Sequence, residues 1–246
     1  MVPPDISVVI LCYRAEDFVP VFVAEMKAAL EKQSIRYELV LVANYHPDAQ
    51  PPDRTPAIVT ELASRDPTVT VVAKPKEGMM GWDMRSGLMA ARGRAVAVID
   101  GDGQMPAQDV VAVYDHLQSA DFDMVKTYRV RRGDGFFRAA VSHVYNGALT
   151  LLFPSVRVRD ANSKPKIFTH QALSRLSLSA DNWFLDAEIV IQASRLKFRI
   201  GEVPTVFREN SQRASFVNVR AILRFALDLL AYRVKTLWER GPRSGS

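Results

Sequence analysis

The first half of the chain alternates short β-branched apolar runs with helix-like stretches, and that alternation leaves few architectures open. The runs Ile6–Cys12, Tyr37–Ala43, Val69–Ala73, Ala95–Asp100 and Met124–Tyr128 have the length and composition of buried strands. Between them, helices are expected at about 17–33, 56–65, 82–92 and 106–119, the second with Thr55 as N-cap and Pro56 at the first helical position. Such repetition predicts an α/β fold with a mostly parallel central sheet flanked by helices, because parallel strands need crossover connections. After residue 130 the pattern loosens into α+β additions: a helix near 136–153, a turn at Pro154, an extended Lys166–Phe168, a helix near 185–195 and an extended Phe198–Arg208. Residues 1–215 are expected to form the folded domain, 216–240 an amphipathic basic helix and 241–246 a flexible tail.

Of the 246 residues 48% are hydrophobic, enough for a core that needs no disulfide or metal staple. The single cysteine, Cys12, lies in the first apolar run and reads as a buried small hydrophobe. That excludes a disulfide framework and a cysteine metal site and favours a reducing, cytoplasmic setting. A secretory signal is not expected, since the first apolar run lacks a basic leader and is stopped by Arg14, Glu16 and Asp17. No stretch reaches the roughly 18 apolar residues of a membrane span. The net charge of +5 is unevenly placed: from Arg195 onward stand eleven Lys and Arg against four Asp and Glu, leaving 21 against 23 before it. A basic end suits nucleic acid, anionic lipid or phosphorylated ligands. Nucleic acid is disfavoured, because aromatics are not interleaved with the basic residues in a recognisable module.

In such sheets ligands bind at the carboxyl ends of the strands. The fourth strand ends in the most informative segment, Asp100-Gly101-Asp102-Gly103-Gln104. In an extended backbone residues two apart point the same way, so Asp100, Asp102 and Gln104 can converge. Convergent carboxylates repel unless a cation joins them; Mg²⁺ or Mn²⁺ suits oxygen ligands and commonly holds a substrate phosphate as well. Gly101 and Gly103 let a ligand approach the backbone closely. Two other readings stay open on these residues: an inert acidic turn, and the nucleophile segment of an aspartate-based phosphotransferase with Asp100 attacking phosphorus. Against the second, three strands precede the segment and Gln104 stands where Thr or Ser is usual.

The run Ile99-Asp-Gly-Asp-Gly-Gln-Met-Pro106 resembles the Asp-X-Asp-X-Gln-X-Pro segment of family 2 glycosyltransferases with the GT-A fold, particularly the dolichyl- and polyprenyl-phosphate sugar transferases. Five further stretches match in family order: Ser7 to Tyr13, Gly81-Trp-Asp-Met-Arg-Ser-Gly87, Asp160-Ala-Asn-Ser-Lys-Pro-Lys-Ile-Phe168, Phe184-Leu-Asp-Ala-Glu188 and Gly201-Glu-Val-Pro204. Three positions depart from the family. Arg14-Ala15 stand where Asn-Glu is usual, Val42-Ala43-Asn44-Tyr45 replaces an Asp pair, and Met80 replaces a lysine.

The resemblance implies a GT-A-like sheet and metal-dependent, inverting transfer of a sugar from a nucleoside diphosphate to a lipid acceptor, a polyprenyl phosphate first among them. It implies Mg²⁺ or Mn²⁺ held by Asp100, Asp102 and Gln104, with Asp102 central to catalysis. Donor contacts would come from Tyr13, Glu16, Asn44, Gly81, Arg85, Asp100, Gly101 and Gln104. Arg129, Arg131, Ser163, Lys166 and Arg208 would meet the acceptor or its phosphate, with Lys164 and Arg213 as secondary contacts. Asp186 is the candidate base for a hydroxyl acceptor; a phosphate acceptor, mostly dianionic at neutral pH, needs none. A catalytically silent nucleotide- or lipid-binding protein is the alternative suggested by the missing Asp pair.

His46, His116, His143 and His170 show no metal spacing and read as structural. In the last stretch, Arg220, Arg224, Asp228 and Lys235 share one helical face, while Phe216, Ile222, Leu223, Phe225, Leu229, Leu230 and Leu237 cover much of the rest. That apolar surface needs a cover, which the sequence leaves open between an anionic membrane surface on the cytoplasmic side, the domain itself and a partner subunit in a homo-oligomer.

Overall fold

A computed structural model describes residues 2–132, 145–207 and 219–238, with side chains for 2–130, 145–206 and 224–238. In chain order it contains β1 (Ile6–Leu11), α1 (Phe18–Glu31), β2 (Tyr37–Val42), α2 (Thr55–Arg65), β3 (Val69–Val72), α3 (Met80–Ala90), β4 (Ala95–Asp100), α4 (Gln108–Ser119) and β5 (Met124–Arg132). A helix α5 over 145–152 follows, then β6 (Lys166–Thr169), α6 (His170–Ser174), α7 (Leu185–Arg195), β7 (Ile200–Phe207) and α8 (Val219–Trp238).

All of β1 is buried, as a strand covered on both faces must be. Its side chains alternate between two cores. Ile6, Val8, Ile10 and Cys12 join Phe22 and Met26 of α1 and Val110 and Val113 of α4, whereas Val9 and Leu11 join Met84 and Leu88 of α3 and Leu185 and Ile189 of α7. The seven strands are ordered β3-β2-β1-β4-β6-β5-β7. Among the described strands only β6 runs against its neighbours, antiparallel to β4 and β5, so the sheet is mostly parallel, as expected. The chain builds outward from β1 to β3, then returns to add β4 on the other side of β1. That reversal makes the β1/β4 junction the switch point, where such sheets open a crevice.

Two details differ from expectation. Thr55 does not cap α2: it is the first helical residue, and its hydroxyl donates to Asp53 Oδ1 (2.6 Å) and accepts from the Glu16 N–H (3.1 Å), tying the β1–α1 loop to α2. The short α6, capped by the Thr169 hydroxyl (3.0 Å from the Ala172 N–H), carries no periodic signal.

Helix α8 has two apolar faces. Phe225 and Leu229 are buried in the α3–α7 core, with Phe225 stacked on Tyr145 (centroids 3.7 Å apart) and Tyr232 against Phe184. Leu227, Leu230, Val234, Leu237 and Trp238 lie on the opposite side and are 49–85% exposed. The expected single face including Leu229, Leu230 and Leu237 is therefore divided; the side chains of Phe216, Arg220, Ile222 and Leu223 lie outside those described. Among the described residues, no helix is long and apolar enough to cross a membrane.

Lys126 of β5 is wholly buried, its ammonium donating to the backbone carbonyls of Thr127 (2.6 Å) and Asp160. Burial first, then repulsion from Lys166, brings its pKa down from 10.5 to about 7, with Asp160 and Glu202 acting the other way. Between those two values the folded protein has released a proton that the unfolded chain still binds, so this group makes stability rise with pH. Below about 7 both states are protonated and the penalty of a buried ammonium is present in full. We expect urea unfolding between pH 7.5 and 9.5 to show this rise, at most about 1.4 kcal/mol per pH unit, and Lys126→Met to flatten it. An unchanged slope in the variant would contradict this account.

Candidate active site

At the switch point, Leu11 pairs with Val42 of β2 on one side and Asp100 of β4 on the other. Tyr13, Asn44 and Asp100 therefore emerge together from three adjacent strands. The Gly101 N–H donates to the Leu11 carbonyl (2.9 Å), closing β4 onto β1, and the Gln104 N–H donates to Asp102 Oδ1 (3.1 Å), folding the segment into a tight turn. Gly103 has φ +68°, and a Cβ there would run into the Phe18 ring, so the turn requires glycine.

Because β6 is antiparallel, its lead-in Ser163-Lys164-Pro165 enters at the same end, beside Asp100. The Lys164 ammonium lies 3.4 Å from Asp100 Oδ2 and 3.1 Å from Asp186 Oδ2, and Lys166 donates to Asp186 Oδ1 (2.5 Å) and the Ser163 carbonyl (2.9 Å). Burial alone would raise the Asp186 pKa, but the two ammonium groups outweigh it and hold the carboxyl below its ordinary value. Burial works against the charge of Lys164, yet Asp100 and Asp186 keep its pKa above the usual lysine value. At 2% exposure and locked between two cations, Asp186 is badly placed to take a proton from an acceptor, which corrects its reading as a base. Ser163 and Lys166 are also fully buried, with the Ser163 hydroxyl against Thr127 Oγ1 (2.7 Å). They lie beneath the site and cannot meet an acceptor directly.

Arg129 forms a bidentate pair with Asp160 (2.6 and 2.9 Å), so its fork is engaged in holding the loop before β6. Arg131 pairs with Val206 and Arg132 with Phe207 in the sheet, but both side chains lie outside those described; His143, Arg208 and Arg213 lie outside the described residues altogether.

On the donor side, Asn44 is 1% exposed and its amide is used internally: Nδ2 donates to Asp83 Oδ1 (2.9 Å) and Ser86 Oγ (3.1 Å), and Oδ1 accepts from the Lys74 N–H (3.0 Å). It braces the strand end and leaves no edge for a nucleotide base. Asp83 is in turn ion-paired to Lys76, whose ammonium stands 4.3 Å above the Tyr13 ring. Burial raises the Asp83 pKa, with Lys76 and Asn44 opposing it. Sequence reasoning missed the Lys76–Asp83 pair; the signal was a lysine just past the third strand. Tyr13 is half-buried, edge-on to His46 (6.3 Å). Glu16 sits in the β1–α1 loop, paired to Arg54 (3.2 Å).

Gly81 and Arg85 face a different task. A Cβ on Gly81 would come within 2.5 Å of the Asn182 carbonyl and 2.7 Å of the Ala180 carbonyl, and Arg85 binds Asp181 (2.7 Å) and the Leu178 carbonyl (3.2 Å). Both clamp the 178–182 loop onto α3. From the other side Glu188 accepts from the N–H groups of Ser179 (2.9 Å) and Ala180 (2.8 Å), and the Asp181 carbonyl accepts from the N–H groups of Met79 and Trp82 at the start of α3.

The donor set fits a hard cation. Asp100 keeps 37% of its side chain exposed, and Asp102 and Gln104 are half-buried beside it. Among the described residues no group of three or more His, Cys, Asp or Glu is placed to hold a metal, so an ion here would complete its shell with substrate phosphate oxygens and water.

Comparison with known proteins agrees with this geometry. Residues 7–179 match the profile of Glycosyl transferase family 2, more than half of the chain. The chain is similar to dodecaprenyl-phosphate galacturonate synthase of Rhizobium johnstonii, 25% identical over 231 residues, covering 92% of this chain and 66% of that protein. It is also similar to dolichyl-phosphate beta-glucosyltransferase of Drosophila melanogaster, 26% identical over 83% of this chain and 67% of that protein. The chain thus spans about two-thirds of the length of these relatives. Among solved structures, glucosyl-3-phosphoglycerate synthase from Mycobacterium tuberculosis, in complex with Mn²⁺, uridine-diphosphate and glucosyl-3-phosphoglycerate, superposes with a TM-score of 0.70 at 19% identity, covering 98% of this chain and 82% of that one. The same synthase has been solved with Mg²⁺ and uridine-diphosphate. That likeness speaks for the GT-A fold. The family match removes the ground for reading Asp100 as a phosphate-accepting nucleophile: this chain belongs to glycosyl transferase family 2.

Proposed function

We propose that the chain transfers a glycosyl group, with inversion, from a nucleoside-diphosphate sugar to the phosphate of a polyprenyl-type lipid at the cytoplasmic face of a membrane. The observation that carries this reading is the meeting of Asp100 and Asp102 with the ends of β1 and β2 at the switch point. The names of the relatives support the acceptor, and the metal and nucleotide in the solved neighbours support the donor side. Asp100, Asp102 and Gln104 would hold Mg²⁺ or Mn²⁺, which when bound offsets the charge that develops on the departing diphosphate. An acceptor phosphate oxygen attacks the anomeric carbon, the bond from that carbon to the diphosphate oxygen breaks, and the nucleoside diphosphate leaves with the electron pair. A phosphate acceptor is already nucleophilic at neutral pH, which suits a site whose Asp186 is held between two lysines. Tyr13 and Lys76 stand together at the donor end, and the 178–182 loop packs against the start of α3, whose Asp83 holds Lys76.

The outer face of α8 gives the membrane its contact. Leu227, Leu230, Val234, Leu237 and Trp238 form one exposed stripe, with Arg224 and Lys235 exposed beside it. The nearby acid, Asp228, accepts from Asn182 Nδ2 (2.8 Å). An apolar stripe with basic flanks suits the headgroup layer of an anionic membrane.

Label from a panel of UDP- and GDP-sugars should pass into organic-extractable polyprenyl phosphate with Mn²⁺ or Mg²⁺. EDTA should stop it, and Asp102→Asn should lower it by about 100-fold or more. Transfer that survives both treatments would refute the metal assignment, and nucleotide binding without turnover from any donor would favour the silent binder. Flotation with phosphatidylglycerol vesicles should recover the protein and weaken as salt rises. The double substitution Leu230→Glu/Val234→Glu should abolish recovery while shifting stability by no more than about 1 kcal/mol, as both sites are exposed. Undiminished flotation of that variant would exclude α8 as the contact.

A further inference from the structure

The lead-in to β6 places a buried ammonium where a metal-holding carboxylate has its inner edge. Lys164 is 3% exposed and lies 3.4 Å from Asp100 Oδ2, while the outer part of the Asp100 side chain stays open. A second carboxylate shares the same cations: Asp186 has Lys166 at 2.5 Å as well as Lys164 at 3.1 Å, so Lys164 stands between Asp100 and Asp186 while Lys166 attends Asp186 from the other side. Without Lys164, Asp100 would offer a bare divalent cation its full negative charge; with it, that charge is already met from within the fold.

We propose that Lys164 is a built-in counter-ion of Asp100 that makes divalent cation binding depend on the nucleotide's diphosphate. The proposal rests on the reading of Asp100 and Asp102 as the metal-holding pair. Its sign follows from charge alone. A bare Mn²⁺ or Mg²⁺ approaching Asp100 meets the repulsion of an ammonium that burial screens little. A complex of the same ion with a nucleoside diphosphate carries net negative charge, and towards it the ammonium is attractive. Lys164 therefore opposes the free metal and favours the metal–nucleotide complex, so that metal and donor arrive together and the empty site does not hold a stray cation. Lys164 touches no reacting atom in this account; it acts through Asp100.

The test is Mn²⁺ binding followed by electron paramagnetic resonance, with and without UDP, on the wild-type chain and on Lys164→Met, Lys164→Gln and Lys164→Arg, each checked by its thermal melt. Wild type should bind Mn²⁺ weakly alone and about tenfold or more tightly with UDP, a coupling of ordinary size. In Lys164→Met the two affinities should move in opposite directions, tighter for Mn²⁺ alone and weaker for Mn²⁺ with UDP, and Lys164→Arg should restore the wild-type pattern. Lys164→Gln gives the same reading if the Met variant does not fold. A merely structural role would weaken both affinities together, and that result, or no change in either, overturns the proposal. So does wild-type protein that binds Mn²⁺ equally well with and without UDP. If no form binds Mn²⁺ even with UDP, the metal reading of Asp100 and Asp102 falls and takes the proposal with it.

Discussion

The group of Asp186, Lys164, Lys166 and Asp100 fixes more of this molecule than any other interaction. It joins α7, the lead-in to β6 and the end of β4 at one point, with Asp186 and both lysines at 3% exposure or less. Charges buried in this way are tolerated only in company. Each pays a desolvation penalty of several kcal/mol, which the pairing roughly repays, and removing one partner leaves another uncompensated. The cluster is therefore a poor source of net stability and a strong constraint on arrangement. β6 must enter antiparallel between β4 and β5, with Lys166 level with Val98 on one side and Lys126 on the other. Repulsion from Lys166 adds to burial in lowering Lys126 to about 7.

Much of the fold was legible because its central strands are long apolar runs closed by polar residues. β4 occupies Ala95–Asp100 as expected, and β1, β2 and β3 stop one residue short of their expected ends. A strand covered on both faces reads as a continuous apolar run rather than as an alternation, and such runs stand out in the sequence. The extended piece expected at Lys166–Phe168 is β6, but its antiparallel entry is tied to the charge cluster and has no signal in the pattern, and the threonine-capped α6 was not expected. The division of α8 into buried and exposed apolar faces was likewise beyond periodicity. Leu229 and Leu230 are neighbours in sequence yet lie on different sides of the helix, and only the presence of Phe184 and Tyr145 decides which side is covered.

The site was legible in its position and less so in its division of labour. The Asp100–Gln104 segment stands at the switch point, where the alternation of strands and helices directs attention. Residue type alone, however, does not separate a side chain that touches a ligand from one that holds the wall. Gly81, Arg85, Asn44, Arg129, Ser163 and Lys166 each carry groups suited to phosphate, sugar or base, and each is spent on the protein itself. The reason is packing: a loop from the second half of the chain, 178–182, comes within 3 Å of where a Gly81 side chain would begin. Spacing along the sequence contains no trace of that approach.

The same loop connects the two ends of the molecule that the proposed reaction would need in register. Asp181 and Leu178 are held to α3 through Arg85, Ser179 and Ala180 to α7 through Glu188, and Asn182 to α8 through Asp228 at 2.8 Å. Asn182 also accepts from the Phe184 N–H (2.9 Å), so the loop is braced at its own exit. The loop at the start of α3 is thus fastened directly to the helix that carries the exposed apolar stripe. On the proposed reading, a membrane seated on α8 would lie at a fixed height relative to Asp100 and would present a lipid-borne phosphate at that height. The connection is one of placement rather than of signalling, since nothing in it requires two alternative arrangements of the same residues.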